Sequence, residues 1–189
     1  MNKPIAISLR VSACAGLLLG GFALYGQNNP NQHLDNGAQK MMNSGDTMFA
    51  MKAAQGGMAE VKLGQLAVDK ASNPDVKEFG QRMIDDHTKA NDQLKSICSA
   101  ENMTPPADID AKDQATYDKL SKLSGAAFDK AYIKDMVKDH EMDIKEFQRE
   151  ANSGKDAQLK QFASTTLPTL QSHLQMAKSA ESKVSGGGQ

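Results

Sequence analysis

The chain of 189 residues has the length of one domain or at most two. Its 22 basic and 23 acidic residues leave a net charge of −1, which argues against a nucleic-acid binder that depends on a basic surface. Aromatic residues make up only 5% and tryptophan is absent, so a surface for stacking bases is not expected. Two cysteines are too few for a disulfide-rich scaffold.

The N-terminal segment over residues 1–26 has the pattern of a secretory signal peptide. Lys3 and Arg10 precede an uncharged run that is shorter than the roughly 20 residues of a bilayer span. We therefore predict cleavage after Gly26 and export of the mature chain. The alternative is a lipoprotein anchored through Cys14. In a lipoprotein signal the apolar run precedes the cysteine, whereas here most of the run follows Cys14.

The first two helical patterns follow a polar leader. Residues 27–45 are rich in Asn, Gln and Gly and predict a flexible segment. One helix is then predicted over residues 46–72 and a second from Pro74 to about residue 102. Asn73 is expected to cap the second helix, and proline suits its first position.

Two further helical patterns follow a long connection over residues 103–124. The third helix is predicted to begin after Ser124, and the fourth covers residues 155–183. Pro168 lies inside the fourth helix, where a missing backbone donor predicts a kink or a split into two helices. Residues 184–189 are predicted to form a disordered tail.

The order of these elements predicts an all-α protein, a ferritin-like four-helix bundle over residues 46–183. Helices of about 27 residues are roughly 40 Å long. Short connections make the first and last helix pairs antiparallel. The long crossover between the second and third helices carries a short amphipathic helix over about residues 110–123 and lets both run in the same direction.

One acidic and three histidine side chains fall on predicted core stripes near the middle of their helices: Glu60, His87, His140 and His173. Three imidazoles and one carboxylate at the same level suit a single transition-metal ion such as Zn, Cu, Fe or Ni. A Met-(Ile/Val)-x-Asp-His motif occurs twice and places Asp86 and Asp139 beside two of the histidines. These carboxylates are candidate hydrogen-bond acceptors from a neighbouring ring, or further ligands.

The alternative is a metal-free protein in which the same side chains form a buried hydrogen-bond network. A di-iron centre is not expected, because such bundles carry Glu-x-x-His motifs on two helices. The residues three positions before the core histidines are apolar instead: Ile84, Val137 and Leu170. The sequence has no pattern typical of a nucleophile–base triad, a phosphate loop or paired cysteine ligands, so an enzyme is the less favoured expectation.

Four segments resemble the bacterial exported family called domain of unknown function 4142: DTMFAMKAAQGGMAEVKLGQLA, VKEFGQRMIDDH, YIKDMVKDH and STTLPTLQSHLQMA. Its members are often labelled predicted outer membrane proteins and are regarded as ferritin-like. The resemblance implies a bundle located in the periplasm, either free or associated with the outer membrane, and it implies no activity. An envelope protein or a second copy of the chain is the expected partner. No segment after residue 26 is apolar enough to span a bilayer.

Overall fold

A computed structural model of the protein describes residues 43–186, in which 86% of the residues are helical and none is in a strand. This confirms the predicted all-α class. The five helices are α1 (Ser44–Lys70), α2 (Pro74–Ala100), α3 (Ala111–Ser121), α4 (Gly125–Ser153) and α5 (Ala157–Gly186). The predicted signal peptide, Cys14 and most of the predicted leader lie outside the described residues. No helix of the described range is both long and apolar enough to cross a membrane.

The ends of the helices follow local capping chemistry. The Asn73 side chain accepts a hydrogen bond from the backbone nitrogen of Asp75 at 2.9 Å, and Pro74 is the first residue of α2, as predicted. α1 begins at Ser44, two residues earlier than predicted, because the Asn43 side chain accepts a bond from the backbone nitrogen of Gly45 at 2.8 Å.

α5 differs from the prediction at two places. The helix continues through Pro168, so of the two predicted outcomes, a kink or a split into two helices, the split is wrong. A proline removes only one backbone bond, and buried Phe162 and Leu170 hold the helix against its neighbours on both sides. α5 also extends to Gly186, which makes the first residues of the predicted tail helical. The Lys183 ammonium lies 2.9 Å from an Asp75 carboxylate oxygen of α2 and ties down this last turn.

The four long helices form a ferritin-like bundle. Phe49 near the start of α1 contacts Phe147 near the end of α4, with ring centroids 5.0 Å apart, so these helices are antiparallel. Phe79 and Tyr132 lie near the starts of α2 and α4 and are 6.0 Å apart, so these helices run in the same direction. The crossover with α3 makes this possible, which confirms the predicted topology.

The core consists of two apolar clusters, one towards each end of the bundle. One is built around Phe49, Leu94, Phe147 and Phe162. The other contains Phe79, Met83, Phe128 and Tyr132. Along each long helix, one buried polar residue lies between the two clusters: Glu60, His87, His140 and His173. A polar layer therefore lies at mid-height of the bundle, with one apolar cluster on each side of it along the bundle axis.

Candidate metal centre

The polar layer brings together the four side chains that the sequence singles out as ligands. The exposed fractions are 1% for Glu60, 6% for His87, 0% for His140 and 1% for His173. The His173 ring centroid is 5.4 Å from that of His87 and 5.4 Å from that of His140. Each histidine offers a ring nitrogen within 4.8 Å of the nitrogens offered by the other two. Three separate helices thus present imidazoles to one point.

The outer nitrogens of two of these rings face fixed acceptors. His140 Nδ1 lies 3.0 Å from the backbone carbonyl oxygen of Met136, one turn earlier on α4. A carbonyl oxygen can only accept, so Nδ1 carries the proton. His173 Nε2 lies 2.9 Å from an Asp86 carboxylate oxygen on α2 and donates to it. These contacts leave His140 Nε2 and His173 Nδ1 as the lone-pair atoms of neutral rings.

These two lone-pair nitrogens face each other at 3.3 Å. Burial lowers the pKa of His173 to about 4 and also lowers the pKa of His140, so both rings are neutral near pH 7. Burial likewise lowers the pKa of His87 to about 4. Three uncharged imidazoles in one layer are the protonation state that a metal ion requires of its ligands.

Asp86 holds His173 in this orientation. Burial raises the pKa of Asp86, but hydrogen bonds from His173 and Arg82 outweigh that effect and lower it overall. The carboxylate is therefore charged at neutral pH and is a strong acceptor. Asp86 thus occupies the position that the sequence suggests for an acceptor from a neighbouring ring.

Glu60 lies beside two of the histidines. Its Oε2 is 2.8 Å from His87 Nε2 and its Oε1 is 3.3 Å from His140 Nδ1. Neither contact has hydrogen-bond geometry, and neither carboxylate oxygen has a hydrogen-bond donor among the described residues. Burial raises the Glu60 pKa to about 8, the nearby His140 opposes the shift, and Asp139 adds to it.

The predicted ligands form two adjoining groups. The three histidines make one group, and Glu60 belongs to another with Asp139 and Asp143. Asp139 is thus grouped with carboxylates, and it also interacts electrostatically with the His87 ring. Sequence reasoning missed Asp143, although it lies one turn after Asp139 and so shares its face of α4.

A cavity of about 260 Å³ adjoins this layer and is lined by residues of α1, α2, α4, α5 and the crossover. Both Glu60 and His87 contribute to its lining, so the cavity borders one carboxylate and one imidazole of the layer. The walls carry six acidic side chains: Glu60, Asp110, Asp113, Asp139, Asp143 and Glu146. The basic side chains in the walls are Lys52 and Lys112. The approach to the layer therefore favours cations.

Three solved structures share the fold. A DUF305 fragment from Deinococcus radiodurans has a TM-score of 0.67 at 10% identity, covering 75% of this chain and 98% of its own. A DUF305 protein from Streptomyces coelicolor, named as a predicted secreted protein, has a TM-score of 0.65 at 12% identity, covering 75% of this chain and 92% of its own. CopM in the Cu(I)-bound form has a TM-score of 0.61 at 18% identity, covering 71% of this chain and 93% of its own.

Such low identities show a common fold alone. No curated protein matches the chain closely enough to count as a relative. A family model described as "Domain of unknown function (DUF4142)" matches residues 31–180, which is most of the chain and includes all four residues of the polar layer. The chain belongs to this family.

Proposed function

We propose that the protein binds one transition-metal ion at mid-bundle through His87, His140 and His173. The observation that carries the proposal is the 3.3 Å approach of His140 Nε2 to His173 Nδ1, both of which present lone pairs. Two lone pairs at this distance repel each other unless a cation lies between them. The cation is either an extra proton or a metal ion.

The spacing favours a metal ion. Two nitrogens that are each about 2.0–2.1 Å from one tetrahedral ion are about 3.3–3.4 Å apart. An extra proton would have to reside on a ring whose pKa burial has lowered, to about 4 in the case of His173. The buried His87 supplies the third imidazole, and its Nε2 has no hydrogen-bond partner among the described residues.

The donor set indicates the class of ion. Neutral imidazoles suit Zn, Cu, Fe and Ni, and all four belong in the test. A bundle of the same fold holds Cu(I) in CopM, which makes copper one of the ions to measure. At 18% identity that likeness concerns the fold, so the proposal depends on the three histidines of this chain.

The proposed location is the bacterial periplasm, with the protein either free or associated with the outer membrane. The signal-peptide pattern over residues 1–26 supports export. Cleavage after Gly26 and the alternative anchor at Cys14 predict different mature masses. Intact-mass measurement of the exported protein distinguishes them, and a retained leader would contradict export with cleavage.

A metal-free structural or interaction protein of the envelope is the second candidate. Its support is the contact chain that runs from the Met136 carbonyl through His140 and His173 to Asp86 and Arg82. In that case a proton shared between the rings joins the helices. His140→Ala would then destabilise the protein by about 1–3 kcal/mol whether or not a divalent ion is present.

Thermal melts with and without Zn²⁺, Cu²⁺, Ni²⁺ or Fe²⁺ separate the two candidates. An ion that binds only the folded state stabilises it by about 2.7 kcal/mol at a hundredfold excess over the dissociation constant. We expect at least one of these ions to raise the melting temperature of the wild type, and His140→Ala to abolish the rise. His33→Ala is the matched control, because His33 is outside the proposed site, and it should keep the full rise. No shift with any ion would refute the metal site.

A further inference from the structure

Three carboxylates adjoin the histidine layer on the side of the cavity. Glu60, Asp139 and Asp143 each offer an oxygen within 4.8 Å of those offered by the other two. Asp139 and Asp143 are one turn apart on α4, and Glu60 faces them from α1. Like charges at this spacing repel unless protons or a cation neutralise them.

Glu60 supplies an independent sign of a ligand at this place. Its side chain is 1% exposed, and both oxygens lack a hydrogen-bond donor among the described residues. Buried polar atoms without a partner are uncommon, because they lose their hydrogen bonds to water without replacement. Because Glu60 also lines the cavity, a ligand in the cavity could satisfy these oxygens.

The cavity has room for a hydrated ion. Its volume is about 260 Å³, and a water molecule takes up about 30 Å³ in the liquid. Hard divalent cations keep several waters when only a few carboxylates bind them. Asp110 and Asp113 from the crossover also line the cavity and add negative charge.

We propose that Glu60, Asp139 and Asp143 form a second cation site, for a hard divalent ion of the Mn²⁺, Mg²⁺ and Ca²⁺ class. Oxygen ligands suit these ions, whereas imidazoles suit the ions of the histidine site. This second site differs from the histidine site in both its ligand set and its class of ion. Glu60 lies between the two sites, in contact with His87 and His140.

The test is a titration of the folded full chain with Mn²⁺, followed by the electron paramagnetic resonance signal of free Mn²⁺. We expect one bound Mn²⁺ per chain, displaced by excess Mg²⁺ or Ca²⁺. Asp143→Asn and Asp139→Asn each remove one charge with little change of shape and should each weaken binding about tenfold or more. Glu141→Gln is the matched control on the exposed face of α4, where Glu141 pairs with Lys178, and it should bind as the wild type does.

A reciprocal measurement keeps the two proposals apart. His173→Ala should keep the Mn²⁺ site and lose the site for Zn²⁺, Cu²⁺, Ni²⁺ or Fe²⁺. Asp143→Asn should lose the Mn²⁺ site and keep the site for Zn²⁺, Cu²⁺, Ni²⁺ or Fe²⁺. The second site is wrong if the wild type binds no Mn²⁺, if neither asparagine variant weakens Mn²⁺ binding, or if Mn²⁺ binding is lost only with His173→Ala.

Discussion

At the scale of single residues, the orientation of His173 depends on one acceptor. Asp86 accepts a hydrogen bond from Nε2 at 2.9 Å and so leaves Nδ1 as the atom that faces His140. Arg82 also donates to Asp86, and the Lys89 ammonium lies 4.0 Å from its other oxygen. These cations keep the acceptor charged, which strengthens its bond to the ring.

Asp86→Asn should therefore weaken metal binding without removing a ligand. An asparagine at this position can donate as well as accept, so it no longer fixes which nitrogen of His173 is protonated. Loss of such a partner typically costs 10–100-fold in metal affinity. Isothermal titration calorimetry with the ion that shifts the melt measures this change. Asp85→Asn, on the exposed side of the same turn where Asp85 pairs with Gln81, is the control and should leave the affinity unchanged.

Glu60 is one of the carboxyl groups that should make the metal-free protein less stable as pH rises above 6.5, and the raised pKa values of Asp143 and Glu150 act in the same direction. Burial raises the Glu60 pKa from its ordinary value of 4.5 to about 8 in the folded protein, so between these pH values the folded state holds an extra proton. Stability then falls as pH rises, by about 1 kcal/mol per pH unit for one proton. The lowered pKa values of His87 and His173 act at lower pH. The stability that these neutral rings contribute to the folded protein is lost as pH falls from 6.5 towards about 4.

Glu60→Gln should flatten this decline and make the chelator-treated protein more stable than the wild type at pH 8. Urea unfolding at pH 6.5, 7, 7.5 and 8 in the presence of a chelator measures the slope. If the free energy of unfolding of Glu60→Gln decreases with pH as steeply as that of the wild type, other buried carboxyl groups cause the decrease.

At the scale of helices, glycine allows α1 and α2 to approach closely. A Cβ atom on Gly64 would lie 2.6 Å from the carbonyl oxygen of Gly80, and one on Gly80 would lie 2.6 Å from the Ala67 Cβ. Gly56 is different, because nothing lies within 4 Å of its added Cβ. Close packing therefore explains Gly64 and does not explain Gly56.

The two glycines provide a matched pair of substitutions in one helix. Gly56→Ala should stabilise the protein by about 1 kcal/mol, the difference in helix propensity between the two residues. Gly64→Ala should destabilise it by about 1–3 kcal/mol, because the new methyl group pushes backbone against backbone. Guanidinium unfolding curves measure both changes, and stabilisation by Gly64→Ala would contradict the close approach of α1 and α2.

The crossover should be the internal segment that proteases cleave first. Residues 101–110 form no helix, and Pro105 and Pro106 leave them with few backbone hydrogen bonds. Limited digestion with a protease of broad specificity, followed by mass spectrometry, locates the first internal cut. A first cut inside α4 or α5 would contradict this prediction.

At the scale of the whole molecule, the sequence predicts the helices and the level at which the histidines meet. Helical periodicity and caps such as Asn73–Pro74 depend only on neighbouring residues, so the sequence reveals them. Because the long helices have nearly equal lengths, His87, His140 and His173 are predicted to lie at one height. The grouping of Glu60 with Asp143 was not predictable in this way, because it depends on the rotation of α1 against α4. The unbroken course of α5 through Pro168 depends on tertiary packing, which overrides the local effect of proline.

The polar layer has one residue on each of the four long helices and lies between two separate apolar clusters. An ion bound by His87, His140 and His173 would link α2, α4 and α5 at mid-height. Removal of the ion should therefore loosen the bundle as a whole and not one end of it, because the ligand bonds lie between the two apolar clusters.

Equilibrium dialysis of the purified chain at pH 7.5 against Zn²⁺, Cu²⁺, Ni²⁺ and Fe²⁺, with the bound metal counted by elemental analysis, tests the histidine metal centre directly. We expect one tightly bound ion per chain for at least one of these metals, lost in the double variant His140→Ala/His173→Ala and retained in His33→Ala. Absence of a bound ion in the wild type, or equal binding by the double variant, would contradict a metal centre built on these histidines.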